Sequence, residues 1–284
     1  MRRGATSLLL ALSLLACTEK AKTYVAPGPM PPVAVKPAAN EEAKDYAQYT
    51  ELVWSDEFEG GALDQSKWIY DLGGGGWGNN ELENYTNSTD NVYLSGGNLV
   101  IQARRQQAGS NVYTSGRILT KGKKNFEYGR IDVRARIPKG KGLWPAIWML
   151  GADIDQNNWP QCGEIDMMEE RGHQPQEFLS TMHFGNSVAD HRLKGTTKVV
   201  GSDLSTDFHI WSVLRSKDQL RFFFDGEPYY SFAASDANPY PFNNKFFVIL
   251  NVAVGGDFGG NPDASTTFPQ QMLVDYVKYY QYKQ

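Results

Sequence analysis

The apolar residues of this chain fall into short runs from about residue 50 to the C-terminus, and polar or turn-forming residues separate the runs. β-Branched and aromatic residues dominate the runs, with Gly, Asn, Asp and Pro between them, which is the pattern of successive β-strands. The clearest runs are residues 98–103, 128–137, 178–184, 246–254 and 272–282. No stretch from residue 51 to 284 keeps a helical period over three turns, so the runs predict strands.

A tight hairpin is predicted where the segments LRFFF and PYYSF flank Asp225-Gly226. Asp-Gly between two apolar segments is a strong signal for a two-residue turn. The sequence shows no internal repeat. Residues 50–284 therefore predict one all-β domain of about 235 residues, either a sandwich or a barrel.

The first 49 residues have a different composition. Residues 1–17 carry Arg2 and Arg3 before an apolar stretch of about ten residues, which is typical of a secretory signal peptide. The stretch ends in LLAC, which resembles a bacterial lipobox and predicts a lipid anchor on Cys17. The alternative is an ordinary cleavage site followed by an incidental cysteine. Residues 18–49 contain five prolines and no apolar run, so they predict a semi-extended linker.

The predicted export and the net charge of the chain limit the kinds of molecule that it can bind. We expect an extracytoplasmic protein, at the cell surface or outer membrane if lipidated and otherwise secreted. Removal of Arg2 and Arg3 leaves 26 basic against 32 acidic residues, so the net charge falls from −4 to −6. An acidic chain without a dense basic patch is a poor ligand for nucleic acid. Two cysteines, Cys17 and Cys162, exclude a disulfide framework, and we expect a monomer.

Residues 163–170 read GEIDMMEE and place four carboxyl side chains on one predicted strand. Three interpretations are open. The acids could face solvent on an edge strand and deter pairing with other strands. They could bind Ca²⁺, although the segment lacks the Asp/Asn/Gly loop spacing of such sites. They could also form the carboxyl pair that glycoside hydrolysis requires.

Strand parity decides which of these acids share a face. Side chains alternate along an undistorted strand, so Glu164 and Glu169 would face opposite ways. One extra residue, a β-bulge at Met167-Met168, reverses the parity of everything after it. Glu164, Asp166 and Glu169 then share one face, and Glu170 lies outside the group. Neighbouring carboxyl groups raise one another's cost of ionisation, so at least one should keep its proton near neutral pH.

The segment EIDMME resembles the Glu-x-Asp-x-x-Glu active-site strand of glycoside hydrolase family 16, in the bulged form typical of laminarinases, the endo-β-1,3-glucanases. The resemblance covers nearly all of residues 51–284. Its other segments read WSDEF from Trp54, NNELENYT from Asn79, SGRI from Ser115, GLWPAIWML from Gly142 and VDYV from Val274. The resemblance implies a jelly-roll β-sandwich of two antiparallel sheets with a concave substrate cleft. It implies Glu164 as nucleophile, Glu169 as general acid/base and Asp166 as a supporting carboxylate.

The resemblance also implies substrate-binding side chains. Trp144 and Trp148 share strand parity and would stack on sugar rings, although tryptophans in a sandwich serve as often in the core. Asn80 and Arg117 resemble residues that hydrogen-bond sugar hydroxyls, with an ordinary surface role as the alternative. His183 resembles a histidine near the cleavage point, with a structural role as its alternative.

Metal and cofactor expectations come from the same resemblance. Family members often carry one structural Ca²⁺ away from the catalytic residues. The corresponding positions are Glu57, Gly97 (through its carbonyl) and Asp275, and the alternative is three unrelated surface residues. Catalysis itself is expected to need no metal or cofactor.

The sequence thus predicts a retaining endo-β-1,3-glucanase acting on β-glucans such as laminarin. A mixed-linkage β-1,3-1,4-glucanase or a galactan hydrolase of the same family is one alternative. The dedicated mixed-linkage enzymes resemble Glu-x-Asp-x-Glu, so the doubled Met argues against them. A non-catalytic β-glucan-binding protein is the other alternative, and the presence of both glutamates argues against it. Many laminarinases read Gly-Gly-Asn-Trp where this chain has GGDF at residues 255–258, which leaves linkage and chain-length preference open.

Overall fold

The computed structural model describes residues 40–283, and β-strands dominate them. The strands are β1 (Glu51–Asp56), β2 (Ile69–Tyr70), β3 (Glu83–Tyr85), β4 (Val92–Ser95), β5 (Asn98–Ala103), β6 (Tyr113–Ser115), β7 (Arg117–Leu119), β8 (Gly129–Arg136), β9 (Leu143–Gly151), β10 (Glu164–Glu169), β11 (Glu177–Phe184), β12 (Arg192–Val199), β13 (His209–Ser216), β14 (Gln219–Phe224), β15 (Glu227–Ala233), β16 (Phe246–Val254) and β17 (Gln270–Gln281). The helices are α1 (Gly256–Gly259) and the 3₁₀ turns Tyr46–Gln48, Val188–Asp190, Ala234–Asp236 and Pro241–Asn243.

Two large antiparallel sheets contain most of the strands. The first has eight strands in the order β15-β14-β13-β8-β17-β5-β4, with β1 paired to the C-terminal half of β17. The second has seven strands in the order β12-β11-β10-β9-β16-β7-β2. β3 and β6 form a separate parallel pair. This arrangement is a jelly-roll β-sandwich, so the predicted all-β fold class is confirmed.

The hydrophobic core draws on both large sheets. Val133, Trp211 and Val277 of the first sheet share one buried cluster with residues of the second, among them Ile165 and Leu250. Each such apolar side chain contributes about 1.5–3 kcal/mol when fully buried. β16 lies inside the second sheet with every residue buried, which explains its almost unbroken apolar sequence FFVILNVAV. β7, β9, β10 and β11 of the same sheet also carry partly exposed side chains.

The predicted hairpin forms as expected. β14 and β15 pair antiparallel and are joined by Asp225 and Gly226. Both turn residues have positive φ, 51° and 84°, as a type I′ turn requires. β5 and β16 have the predicted bounds, and the other three predicted runs differ from β8, β11 and β17 by one or two residues at one or both ends.

The predicted end of the linker at residue 49 is wrong, because residues 40–49 pack onto the domain. The Asn40 side chain is buried and hydrogen-bonds both backbone groups of Tyr282, with distances of 2.7 Å to the amide nitrogen and 3.3 Å to the carbonyl oxygen. Tyr49 is also buried, and its ring centroid lies 5.2 Å from that of Tyr282. Asn40 and Tyr282 are 242 residues apart in the sequence, so local composition gave no sign of these contacts.

The predicted signal peptide, the lipid site at Cys17 and the linker up to residue 39 lie outside the described residues. Within residues 40–283, no helix has the length and apolar character needed to span a membrane.

Candidate active site

A β-bulge interrupts β10 where the sequence predicts one. Against β9, the pairing advances by two residues on β10, from Asp166 to Met168, and by only one residue on β9. Against β11, it advances by three residues on β10, from Asp166 to Glu169, and by two on β11. Met167 and Met168 are consequently both buried in the core. Glu169 returns to the face that carries Glu164, and the predicted bulge is confirmed.

Ser180 of β11 holds the bulge in place. Its hydroxyl donates a hydrogen bond of 2.8 Å to the carbonyl oxygen of Met167, a backbone group at the bulge. The same hydroxyl lies 2.7 Å from the hydroxyl of Tyr229 on β15. A buried carbonyl without a partner would cost about 1–3 kcal/mol, so Ser180 stabilises the geometry on which the acid cluster depends.

Glu164, Asp166 and His183 meet at the centre of the candidate site. His183 lies opposite Glu164 in the pairing of β10 with β11. Its Nε2 is 3.1 Å from Asp166 Oδ2 and 3.8 Å from Glu164 Oε1. Asp166 is only 3% exposed, whereas the side chains of Glu164 and His183 are 18% and 17% exposed. The two outer groups are therefore accessible, and the carboxyl group between them is buried.

Burial raises the pKa of all three acids on β10, and repulsion from Asp166 raises the pKa of Glu164 and of Glu169 further. Desolvation raises the pKa of Glu164 to about 8, and the neighbouring Asp166 adds to this shift. The same two causes raise the pKa of Glu169 to about 8. Desolvation also holds the pKa of Asp166 well above its ordinary value. The cluster therefore keeps protons near neutral pH, which is the condition for a carboxylic acid to act as a general acid.

Trp144 of β9 fixes Glu169. The indole Nε1–H of Trp144 donates a hydrogen bond of 2.9 Å to Glu169 Oε1. Phe258 lies against the other side of the indole, with ring centroids 4.8 Å apart. The Arg171 guanidinium carbon lies 4.2 Å from the centroid of Phe258, and its Nε donates to the Phe258 carbonyl. This stack of three side chains limits the positions available to Trp144, and through it those of Glu169.

Trp148 and Arg117 form a second layer on the same side of the sheet. Arg117 lies between two indoles, with its guanidinium carbon 4.6 Å from the ring of Trp77 and 4.9 Å from that of Trp148. Its Nε also lies 3.0 Å from Asp71 Oδ2. Trp148 pairs with Asp166 across β9 and β10, so this cation and its two indoles adjoin the acid cluster.

A chain of hydrogen bonds holds the indole of Trp148 in place. Its Nε1–H donates to Asn251 Oδ1 at 2.7 Å, and Asn251 Nδ2 donates to the hydroxyl of Tyr85 at 3.1 Å. That hydroxyl donates in turn to Glu81 Oε2 at 3.2 Å. Burial and the neighbouring Glu81 raise the pKa of Glu83 to about 9. No local sequence pattern signals this network, because Tyr85, Trp148 and Asn251 come from β3, β9 and β16, and Glu81 precedes β3.

His191 and Trp159 are two further residues of the site that the sequence did not predict. His191 Nε2 lies 2.8 Å from Nδ1 of His183, with the two rings nearly parallel. Trp159 packs on His191 with ring centroids 4.5 Å apart, and a hydrogen bond from Trp159 lowers the pKa of Glu164. The short connection from β11 to β12 returns His191 to His183, and nothing in the residue spacing signals this contact.

Asn80 lies at the edge of this face, in contact with the GGDF segment. Its side-chain amide donates to both carboxylate oxygens of Asp257, each at 3.1 Å. Asp257 stands at the position where the resemblance predicts an Asn. The side-chain amide of Asn80, which the resemblance predicts to contact a sugar hydroxyl, is therefore held by an acidic partner, and Asn80 remains exposed.

Comparison with known proteins identifies the family. The family model described as glycosyl hydrolases family 16 matches residues 79–278. The chain belongs to glycosyl hydrolase family 16. A β-glucanase of Rhodothermus marinus is 40% identical over 259 residues, covering 85% of this chain and 88% of the relative. A glucan endo-1,3-β-glucosidase of Cryptopygus antarcticus is 41% identical over 247 residues, covering 80% and 90%.

A solved structure gives the same assignment. The laminarinase catalytic domain of Thermotoga maritima MSB8 superposes with a TM-score of 0.77 at 40% identity, and the match covers 82% of this chain and 99% of that domain. The family match includes β10 and the neighbouring strands β9, β11 and β16. The acid cluster therefore lies within the part of the chain that defines the family.

The predicted calcium ligands of this family 16 chain lie apart from the acid cluster, and both carboxylates already have cationic partners. Glu57 Oε1 is 3.1 Å from Lys278 Nζ, and Asp275 Oδ2 is 2.6 Å from Arg134 Nη1. Carboxylate and carbonyl oxygens have the right chemistry for Ca²⁺, but an ion would have to displace these two cations. The site stays a prediction.

Glu170, which the sequence analysis left out of the chemistry, is fully buried directly after β10. Neither of its carboxyl oxygens has a hydrogen-bond partner. Desolvation, and to a smaller extent Asp203, raises its pKa to about 8. The free cysteine of the described residues, Cys162, is buried as well.

Proposed function

We propose that this family 16 chain is a retaining endo-glycoside hydrolase that cleaves internal β-1,3-glucosidic bonds in β-glucans such as laminarin. The bulge in β10 carries this proposal, because it brings Glu169 to the face that holds Glu164 and Asp166. The names of the relatives, a β-glucanase, a glucan endo-1,3-β-glucosidase and a laminarinase, support the choice of bond.

The two glutamates divide the reaction between them. Glu169 protonates the leaving glycosidic oxygen while the ionised Glu164 attacks the anomeric carbon, which breaks the glycosidic bond and forms a glycosyl ester. Glu169, now ionised, then takes a proton from water as the water attacks the same carbon. This second displacement releases Glu164 and returns the proton to Glu169. Two displacements retain the anomeric configuration.

Asp166 and His183 support the nucleophile. Asp166 is more buried than Glu164, and desolvation holds its pKa well above the ordinary value, so its protonated carboxyl group can donate a hydrogen bond to ionised Glu164. The positive charge of protonated His183 would lower the pKa of Glu164 and favour the attacking form. Trp144, Trp148 and Arg117 are the side chains on this face that we assign to sugar binding, together with Asn80 at its edge.

A polysaccharide panel tests the proposal. Wild-type protein and Glu164→Ala are incubated with laminarin, lichenan, agarose and carrageenan, and reducing ends are measured. We expect release from laminarin by the wild type and none by the variant. Laminarin binding without release would instead indicate a glucan-binding protein, and release only from lichenan would indicate a mixed-linkage enzyme. Activity that survives Glu164→Ala would reject the assigned nucleophile. The anomer of the first product, read by NMR, must be β.

Calcium binding at Glu57, Gly97 and Asp275 is proposed as a stabilising feature that takes no part in catalysis. Ligands from both ends of the domain would be held together by one ion. Calcium should then raise the melting temperature, and Asp275→Asn should abolish that increase. If calcium raises the melting temperature of Asp275→Asn as much as that of the wild type, the ion binds at another site.

We also propose that the mature chain is exported and lipidated at Cys17. The arginines, the apolar stretch and the lipobox-like LLAC support this. Expression in a bacterial host followed by membrane fractionation tests it. The wild type should sediment with membranes and Cys17→Ser should not, while both hydrolyse laminarin.

A further inference from the structure

Glu164, Asp166 and His183, which the proposed hydrolysis uses as nucleophile and supporting groups, are also arranged as a set of metal ligands. One carboxylate oxygen from each acid and one ring nitrogen of His183 all lie within 4.8 Å of one another. In the part of the chain that the structure describes, no other group of three histidine, cysteine or acidic side chains is arranged in this way. The ligands come from adjacent strands in fixed register, so the arrangement does not depend on a loop.

A buried oxygen in this cluster lacks a partner. Asp166 Oδ2 is shielded from solvent and accepts no hydrogen bond. His183 Nε2 is 3.1 Å away, but the contact does not have hydrogen-bond geometry. In ionised Asp166 this oxygen would be a buried acceptor without a donor, which is costly, and a cation that displaces the proton would satisfy it. A cation would also offset the repulsion between Glu164 and Asp166.

The second nitrogen of His183 is held in the manner of a metal-binding histidine. His191 Nε2 lies 2.8 Å from His183 Nδ1, and Trp159 covers His191. Metal-binding histidines almost always have their other ring nitrogen hydrogen-bonded, which fixes the tautomer and the ring orientation. His191 can therefore hold His183 with the lone pair of Nε2 directed to the side of the two carboxylates.

We propose that Glu164, Asp166 and His183 form an inhibitory transition-metal site that prefers Zn²⁺. One imidazole and two carboxylates suit Zn²⁺, whereas Ca²⁺ and Mg²⁺ prefer oxygen ligands alone. The ion would take the lone pairs with which Glu164 attacks the anomeric carbon. The partial exposure of Glu164 and His183 leaves a position open for water on the ion. Inhibition rests on the proposed hydrolase function, but binding of the ion does not.

Calorimetric titration with ZnCl₂ at pH 7.5 tests the binding. The proteins are the wild type, Asp166→Asn, His183→Ala and His191→Phe, each checked for folding by circular dichroism. We expect one Zn²⁺ per wild-type chain and at least about 10-fold weaker binding in each variant. His209→Ala is the matched control, because His209 lies 2.8 Å from Asp225 in another histidine–aspartate pair outside the cluster. Its affinity should equal that of the wild type.

Two results would overturn the site. One is the absence of Zn²⁺ binding to the wild type, and the other is wild-type affinity in both Asp166→Asn and His183→Ala. Replacement of Zn²⁺ by Co²⁺ gives a second readout, because visible absorption of a Co²⁺ complex should appear with the wild type and disappear with His183→Ala. MgCl₂ should give no heat of binding at this site.

Laminarin hydrolysis tests the inhibition separately. Zn²⁺ should raise the apparent KM, and EDTA should restore the original value. If Zn²⁺ binds at the cluster but does not slow hydrolysis, the inhibitory role is wrong and the metal site itself stands. A wild type that does not hydrolyse laminarin in metal-free buffer would reject the proposed function, while the calorimetry would still decide whether the cluster binds metal.

Discussion

At the scale of single residues, the site depends on small differences between similar acids. Glu169 and Glu164 both have a pKa raised to about 8, yet the proposed reaction needs one protonated and the other ionised. Their neighbours differ: Glu169 accepts a hydrogen bond from Trp144, whereas Glu164 lies beside Asp166 and His183. Replacing one neighbour at a time therefore shows which of the two glutamates holds the proton.

Trp144→Phe should shift the alkaline limb of the pH profile to higher pH. The hydrogen bond from Trp144 favours ionised Glu169 and lowers its pKa. Phenylalanine keeps the contact with Phe258 and removes the N–H donor, so the pKa of Glu169 should rise by about one unit. The second displacement needs Glu169 as a base, so kcat near neutral pH should fall about 10-fold. Rates of laminarin hydrolysis from pH 4 to 10 provide the measurement.

Trp148→Phe is the matched control for this experiment. It removes an indole of the same face whose N–H donates to Asn251 and not to a catalytic acid. KM should rise as stacking area is lost, and the alkaline limb should stay in place. If the limb moves equally in both variants, the contact between Trp144 and Glu169 does not set the pKa of Glu169.

At the scale of elements, the bulge in β10 determines which acids meet. The sequence predicted it from one extra residue, since Glu169 reaches the face of Glu164 only if the parity changes between them. The sequence could not show what stabilises the bulge. Ser180 and Tyr229 come from β11 and β15, strands of different sheets, and their contact with the Met167 carbonyl depends on how the sheets stack.

Ser180→Ala should destabilise the domain and impair catalysis together. The variant leaves the Met167 carbonyl without its donor in a buried position, which should cost about 1–3 kcal/mol. If the bulge then relaxes, Glu169 moves relative to Glu164 and kcat falls. Urea unfolding and laminarin hydrolysis measure the two effects. Ser231→Ala, on the exposed side of β15, should change neither, and wild-type stability in Ser180→Ala would show that the bulge does not need this hydroxyl.

The sequence predicted the elements that have a local pattern and did not predict contacts between segments that are distant in the chain. Runs with a clear local pattern, such as FFVILNVAV and the Asp225-Gly226 turn, predicted β16 and the hairpin correctly. Residues 40–49 were assigned to the linker because their partner, Tyr282, lies at the other end of the chain. His191 reaches His183 only through the turn between two paired strands. Local patterns specify strands and turns, but contacts between distant segments need the folded topology.

At the scale of the whole molecule, buried acids accumulate on and around the second sheet. Glu83 and Glu170 are fully buried and lie outside the proposed chemistry, and desolvation raises the pKa of each, to about 9 and about 8. Their ordinary value is 4.5. Between the ordinary pKa of 4.5 and the raised values of about 8 and about 9, the folded chain therefore binds more protons than the unfolded chain. Where the folded state binds more protons, stability decreases as pH rises.

We expect the free energy of unfolding to fall between pH 5 and pH 9. The contribution of Glu170 is fully present below its unfolded pKa and is lost progressively as the pH rises from 4.5 to about 8, because over this range the unfolded chain ionises while the buried group keeps its proton. Glutamine keeps the shape of the side chain and cannot ionise. Glu170→Gln should therefore flatten the decline and be more stable than the wild type at pH 9, by an amount on the order of a few kcal/mol.

Urea unfolding followed by tryptophan fluorescence at pH 5, 7 and 9 measures this dependence. Glu227→Gln is the control, since Glu227 is exposed at the start of β15 and its replacement should leave the wild-type curve unchanged. Glu83→Gln should flatten the decline as well, because its carboxyl group is buried in a different part of the domain. A wild-type curve that stays level or rises with pH would mean that these acids are solvated in the folded chain. If the free energy of unfolding of Glu170→Gln declines with pH as steeply as that of the wild type, groups other than Glu170 cause the decline.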